Sequence, residues 1–370
     1  MPLRHMLLGI FGAVIAFSTL TIATASPQGA TLTVKHDHPF IFYHGRWDSS
    51  PGTWWPASGF KLNVINLKTL TLNLGPHTPS PFASLGVSIG GSDFFIVNAS
   101  AGANTIPIPT AHVAQGKLSS TTVRINAAGW QTYRFNLESI TLNNDAILVP
   151  YTASKRVFQF IGDSFSSGYL LPMGADQAWN FLVGEKYKAE TRITAQAGAA
   201  LMDIPSYGNV HGMSYQYFMT EDTSFYYTTD HNFTTPWDFS RDQPPITHIV
   251  IHIGSTNDAA QGVTDDQFVQ VYVDFLTRIR KLYPRQPIFA LTPWGWPNAD
   301  GNVYYYYDGQ YQRVLDARKA LGDNNMFLVN TTGWVTWEDV FPDSLHPTVA
   351  GQVKIANNFI DFLKTWGLSP

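Results

Sequence analysis

Near Lys155 the hydrophobic pattern of the chain changes period, and that change constrains the fold more than any other feature. From about Thr31 to Pro150, apolar residues tend to fall at every second position, as in Phe60–Leu67, Leu70–Leu74, Phe94–Val97, Thr121–Ile125 and Tyr133–Leu137. Such alternation turns one side of a strand to a core and the other to water. Turn residues separate the runs at Leu74-Gly75-Pro76-His77, Ile89-Gly90-Gly91-Ser92 and Leu142-Asn143-Asn144-Asp145. Many short strands so spaced predict a β-sandwich, jelly-roll-like, over 27–150. Trp47, Trp54 and Trp55 lie in a Gly/Pro/Ser-rich stretch. Packing at an edge of the sandwich is expected of them, a wall over an active site being the alternative.

After Lys155, strands alternate with helices. Val157–Ile161, Thr191–Ala195, Ile246–Ile253, Ile288–Thr292 and Met326–Val329 read as strands buried on both faces. Phe268, Val271, Tyr272, Phe275, Leu276, Ile279 and Leu282 recur at helical spacing in Asp265–Tyr283, with Thr264 or Asp265 as cap and Pro284 as stop. Further helices are expected over Val303–Leu321, ended by Gly322, and over Pro347–Trp366, whose proline suits a first turn. The stripe of that last helix is Val349, Val353, Ala356, Phe359, Ile360 and Leu363. The pattern predicts an α/β unit over 155–370, with a parallel sheet covered on both faces and its functional residues just after strand ends. The long aromatic segment Tyr207–Pro245 is read as an insertion near the site mouth.

The chain has 370 residues, 44% hydrophobic, enough for a large core and two domains. A net charge of −4 without a basic stripe argues against nucleic acid and against an anionic membrane. The 11 Trp and 17 Tyr suit a large aromatic core, with some rings turned to a sugar-like ligand. Arg4 and His5 precede the apolar run Leu7–Phe17, and Ala23-Thr24-Ala25 offers a cleavage site before Ser26. This reads as a signal peptide over 1–25, because the run is short for a membrane span. A secreted, extracellular protein follows, and it gives meaning to sequons at Asn98, Asn232 and Asn330. There is no cysteine, so neither a thiol nucleophile nor a thiolate metal site is available. His36, Asp37 and His38 form the one close cluster of potential ligands, without convincing spacing, and neither metal nor cofactor is expected.

Four chemistry-bearing groups fall at predicted strand ends or at a helix start: Gly162-Asp163-Ser164, Gly198, Gly254-Ser255-Thr256-Asn257-Asp258 and Asp343-Ser344-Leu345-His346-Pro347. A serine hydroxyl needs a base to attack an ester at neutral pH. His346, with an ordinary pKa of ~6.5, can supply it. Asp343, three residues earlier, can reach the ring and hold its tautomer. Gly198, the Asn257 side chain and the Ser164 N–H are the candidate oxyanion donors. Trp294 and Trp296 follow the fourth strand and are expected to line a glycan or acyl pocket.

These blocks resemble those of the SGNH, or GDSL, hydrolases, over roughly Lys155 to the C-terminus. The third block differs in having two residues, not one, between Gly254 and Asn257. The serine is not in a Gly-x-Ser-x-Gly elbow, unlike that of an ordinary α/β-hydrolase. The resemblance implies a three-layer, flavodoxin-like fold, ester hydrolysis, and Ser164, Gly198 and Asn257 as the oxyanion hole. A sandwich ahead of such a unit, together with Gly45-Arg46-Trp47-Asp48 and Thr122-Val123-Arg124-Ile125, is similar to carbohydrate esterase family 2. That implies a monomeric, acetyl xylan esterase-like enzyme deacetylating plant cell-wall polysaccharides or oligosaccharides of the xylan or mannan type. Family members that work with a Ser–His dyad leave the need for Asp343 open. Two rival expectations remain: an SGNH esterase or lipase for non-carbohydrate esters, and a glycan-binding protein whose hydrolase is idle.

Overall fold

The structure is a computed structural model describing residues 31–53, 55–109, 119–129, 134–221, 235–343 and 345–370. The expected signal peptide, Trp54, Tyr226, Tyr227 and the Asn232 sequon lie outside these residues. The first part holds strands β1 (Thr31–Lys35), β2 (Phe42–His44), β3 (Gly52–Thr53), β4 (Gly59–Ile65), β5 (Leu70–Leu74), β6 (Ala83–Ile89), β7 (Phe95–Ala99), β8 (Gly102–Thr105), β9 (Thr121–Ala127), β10 (Phe135–Asn143) and β11 (Ile147–Val149). One antiparallel sheet runs β1-β10-β5-β8 with β3 beside β10, and the other β11-β4-β9-β6-β7 with β2 beside β4. The alternation seen in the sequence fills the space between them: Leu70, Leu72 and Leu74 of one sheet share a core with Phe60, Leu62 and Val64 of the other.

The parallel sheet begins at β12 (Val157–Gly162) and adds β13 (Glu190–Ala195), β14 (His248–His252), β15 (Ile288–Leu291) and β18 (Met326–Val329). Between the last two, β16 (Trp296–Pro297) and β17 (Val303–Tyr304) make a small hairpin. The order β13-β12-β14-β15-β18 is the doubly wound flavodoxin-like order, whose switch point lies between β12 and β14. Alternate residues of these strands enter different cores. Val157, Ile161, Ile249, Ile251, Ile288 and Ala290 face α5 (Asp265–Leu282) and α6 (Gln310–Ala320). Phe158, Phe160, Val250, Phe289 and Leu291 face α2 (Trp179–Lys186) and α7 (Val349–Trp366). Burying each such side chain contributes ~1.5–3 kcal/mol, which is why the strands read as continuous apolar runs. Short helices α1 (Ser164–Ser167), α3 (Met213–Gln216) and α4 (Thr256–Ala260) complete the layers. Among the described residues, no helix is long and apolar enough to cross a membrane.

α5 starts at Thr264, whose side chain forms a capping box with Gln267. The expected Val303–Leu321 helix is shorter. Tyr307 (φ 56) and Gly309 (φ 75) are left-handed and incompatible with it, so Val303 and Tyr304 pair with the Trp296 strand and α6 starts at Gln310. Pro347 lies before the last helix, not in its first turn: Thr348 caps α7 by accepting from the Gly351 N–H. Ala356, Phe359, Ile360 and Leu363 of the expected stripe are buried, and its N-terminal end differs. Val353 is 42% exposed, whereas Gly351, Gln352 and Ile355 are buried.

The two parts are joined through polar bonds. Lys61 pairs with Glu190 at 2.6 Å, both buried. Asn126 donates to Asp176 (2.6 Å), and the Ala175 N–H donates to the Ala128 carbonyl (2.9 Å). Trp47 packs inside the sandwich, as expected. Trp55 crosses to the core of the α/β unit and donates to the Thr220 carbonyl at 2.8 Å. Neither forms a wall over the strand ends.

Candidate active site

β12 ends at Gly162, where a Cβ would come within 2.4 Å of the Ser166 hydroxyl, so a side chain there would block the turn. Asp163 then caps α1 by accepting from the Phe165 N–H (3.1 Å), and Ser164 becomes the first helical residue. Ser164 is buried and lies beside the switch point of the sheet. His346 arrives from the loop before α7. Its Nε2 accepts from Ser164 Oγ at 2.8 Å, and its Nδ1 lies 2.5 Å from Asp343 Oδ2. With Nδ1–H donating to the carboxylate, the Nε2 lone pair faces the serine proton. Asp343 Oδ1 also accepts from the Leu345 and His346 backbone N–H groups, which holds the carboxylate in the turn.

Electrostatics follow from this packing. Burial lowers the His346 pKa below the ordinary 6.5, while Asp343 pulls it upward. Burial works to raise the Asp343 carboxyl, but the bonds from the His346 ring and the two backbone N–H groups outweigh it and hold it below the ordinary range. The neutral imidazole facing an ionised carboxylate is the protonation state a general base needs.

Gly198, after β13, has φ 77, and a Cβ there would lie 2.6 Å from that of Tyr207. Asn257, the second residue of α4, donates to the Ala199 carbonyl at 2.9 Å. Next to it, buried Asp258 accepts from the Leu201 and Met202 N–H groups at 2.7 and 2.9 Å. Two successive side chains of α4 therefore tie the loops after β13 and β14 together. Ser164, His346, Gly198 and Asn257 all line one cavity of about 300 Å³, at the small end of ligand pockets.

Residues 160–354, just over half of the chain, match the GDSL-like lipase/acylhydrolase family. The chain belongs to that family. This GDSL hydrolase is a carboxylic ester hydrolase with the three-layer α/β fold implied by its sequence blocks. Its fold, sandwich included, is similar to that of a family two carbohydrate esterase from Cellvibrio japonicus (TM-score 0.71, 16% identity, 91% of this chain and 98% of that one). An acetyl xylan esterase from the rumen bacterium Butyrivibrio proteoclasticus gives TM-score 0.72 at 16% identity, with the same coverage, 91% and 98%. A family two carbohydrate esterase from Clostridium thermocellum, in complex with cellohexaose, gives 0.66 at 19% identity, covering 88% and 98%. A comparison with curated proteins returned no match.

In the GDSL hydrolase the two tryptophans after β15 separate. Trp296 is half-buried and lines the catalytic cavity. Trp294, expected beside it, is only 1% exposed and stacks on His252, with ring centroids 3.8 Å apart. It packs edge-on to Phe165 and Trp179, so it supports the Ser164 loop from beneath and is not among the residues that line the cavity. Gly295 (φ 84) between them reverses the chain and sends Trp296 outward. The expected insertion also divides. Tyr207, 63% exposed, lines the cavity, whereas Tyr217 and Trp237 are buried around Arg46 of the sandwich part. Tyr169 was not foreseen: it packs edge-on to the His346 ring at 4.5 Å and lines the cavity. No motif marks it; only its place five residues after Ser164 could have drawn notice. Asn98 and Asn330 are exposed. Among the described residues, no group of three potential ligands could hold a metal ion.

Proposed function

We propose that the protein is a secreted, monomeric esterase that removes acetyl groups from plant cell-wall polysaccharide or oligosaccharide of the xylan or mannan type. The observation that carries this reading is the Ser164–His346–Asp343 chain of hydrogen bonds opening into a cavity of about 300 Å³ rimmed by Trp296 and Tyr207. The small volume suits a short acyl group, and the rim rings suit the apolar faces of sugars. The likeness in fold to proteins described as carbohydrate esterases supports the same substrate class.

In this reading Ser164 Oγ attacks the ester carbonyl carbon as His346 Nε2 takes its proton. The oxyanion forms among the Ser164 and Gly198 N–H groups and the Asn257 amide. His346 returns the proton to the departing sugar oxygen, leaving an acetyl–Ser164 ester. Water, activated by the same imidazole, adds to that ester and releases acetate.

The test is acetate release from acetylated xylan, acetylated glucomannan and an aryl acetate. Wild type is expected to act on all three, and Ser164→Ala on none. Unchanged release by Ser164→Ala would overturn the mechanism, and a preference for long-chain aryl esters would overturn the acetyl assignment. Asp343→Asn in the same assay is expected to lose about a hundred-fold or more in kcat, whereas a working dyad would keep it within a few-fold. N-terminal sequencing of the exported protein is expected to start at Ser26, and retention of residues 1–25 would count against secretion.

A further inference from the structure

A second cavity stands apart from the one at Ser164. A cleft of about 950 Å³ runs between the sandwich and the hydrolase, and it shares no lining residue with the Ser164 cavity. One wall is the turn after β6 with Phe94, together with Ser120 and Arg124. The other is the segment from Met173 to Gln177 with α2, and Tyr151 closes one side. Its size lies at the upper end of ligand pockets, roughly 300–1,000 Å³.

Its chemistry is specific. Arg124 is held over Phe181 and Phe94, 4.7 and 5.4 Å from their ring centroids, and pairs with Glu185 at 2.5 Å. The Arg124 Nε–H is buried without a hydrogen-bond partner among the described residues. Asp176 is only 5% exposed; one carboxylate oxygen accepts from Asn126, and the other has no partner among the described residues. Buried polar groups so left are costly unless something satisfies them. Lys61, Arg124 and Lys188 offset Asp93, Glu185 and Glu190 along the cleft. Burial pushes the Asp176 carboxyl up to about 7, which brings the balance closer to neutral. A charged ligand would meet as much repulsion as attraction here. An uncharged ligand rich in hydroxyls can exchange hydrogen bonds with the polar lining, Ser92, Ser120, Thr122 and Gln177, while its apolar faces meet Phe94 and Tyr151.

We propose that this cleft is a second carbohydrate-binding site, taking an unacetylated stretch of neutral polysaccharide while the ester is handled at Ser164. The choice of ligand class rests on the polysaccharide reading above. The test is calorimetric titration of the full chain with xylohexaose, mannohexaose and cellohexaose, none of them acetylated. Binding of at least one is expected, about ten-fold weaker in Phe94→Ala and in Ser120→Trp and retained in Trp296→Ala. Aryl acetate hydrolysis should be unchanged in both cleft variants. Ser120 is exposed and precedes β9, so its replacement obstructs the cleft without disturbing the core even where Phe94→Ala misfolds. No binding of any hexaose, binding indifferent to Ser120→Trp, or binding lost only in Trp296→Ala would overturn the second site. Each of these leaves aryl acetate hydrolysis by Ser164 standing, while an inactive wild type that still binds in the cleft would overturn the esterase reading alone.

Discussion

Asp258 is wholly buried, and its carboxylate faces the Leu201 and Met202 N–H groups across the gap between two loops. Burial pushes its pKa up to about 6, against the pull of those two donors. It touches no reacting atom, yet it sets the distance between Gly198 and Asn257. Asp258→Asn turns an amide N–H toward a backbone N–H and loosens that distance. A fall of about ten- to a hundred-fold in kcat is expected, with KM little changed, since in the proposed mechanism the Gly198 and Asn257 donors that it positions stabilise only the developing oxyanion. An unchanged kcat, measured on an aryl acetate, would remove Asp258 from the positioning of the site. His346 makes a second residue-scale prediction. Its activity as a base needs the neutral ring, so activity is full at high pH and is lost as pH falls through its pKa. Burial has moved that pKa below 6.5, and Asp343 stays ionised through the same window because its own pKa lies below the ordinary range. The acid limb of kcat/KM should therefore have its midpoint below 6.5. A midpoint above that value would contradict a buried base.

At the scale of elements, the small hairpin of β16 and β17 decides which tryptophan reaches the Ser164 cavity. Gly295 turns with φ 84, and a Cβ there would lie 2.5 Å from a Val303 methyl across the hairpin. Gly295→Ala should displace Trp296 while leaving the hydrogen bonds of Ser164 intact. The expected outcome is a several-fold rise in KM on acetylated polysaccharide with little change on an aryl acetate, because only the sugar contact is moved. An equal loss on both substrates would place the hairpin in the catalytic machinery instead. The same hairpin shows why helical spacing misleads here. Val303 to Leu321 carries a plausible helical pattern, but a tertiary pairing and two left-handed residues claim its first third.

At the scale of the whole molecule, sandwich and hydrolase meet around Arg46. Its guanidinium is buried, lies 5.0–5.6 Å from the ring centroids of Trp55, Tyr217, Trp237 and Phe239, and donates to the Met219 carbonyl at 2.6 Å. Arg46→Ala leaves a cavity and an unpaired carbonyl, and should cost about 2–4 kcal/mol of stability in denaturant unfolding. A loss under about 0.5 kcal/mol, the range of surface changes, would show the two parts to be independent. Arg46 stands in a Gly-Arg-Trp-Asp run that was legible in the first part, but three of its aromatic partners, Tyr217, Trp237 and Phe239, come from an aperiodic insertion that lies some 170 residues or more later, and no local pattern links them. The sequence by itself determined the two kinds of sheet, because strand period depends on neighbouring residues only. It also determined the order Ser164, Gly198, Asn257, Asp343 and His346, because strand ends of a doubly wound sheet converge on its switch point. The tertiary structure alone decided that Trp294 is core and Trp296 rim, that Asp258 ties the loops after β13 and β14 together, and that a second cleft opens between the two parts. Each of these depends on which distant surfaces pack together, and side-chain direction at a turn is settled by that packing, not by spacing along the chain.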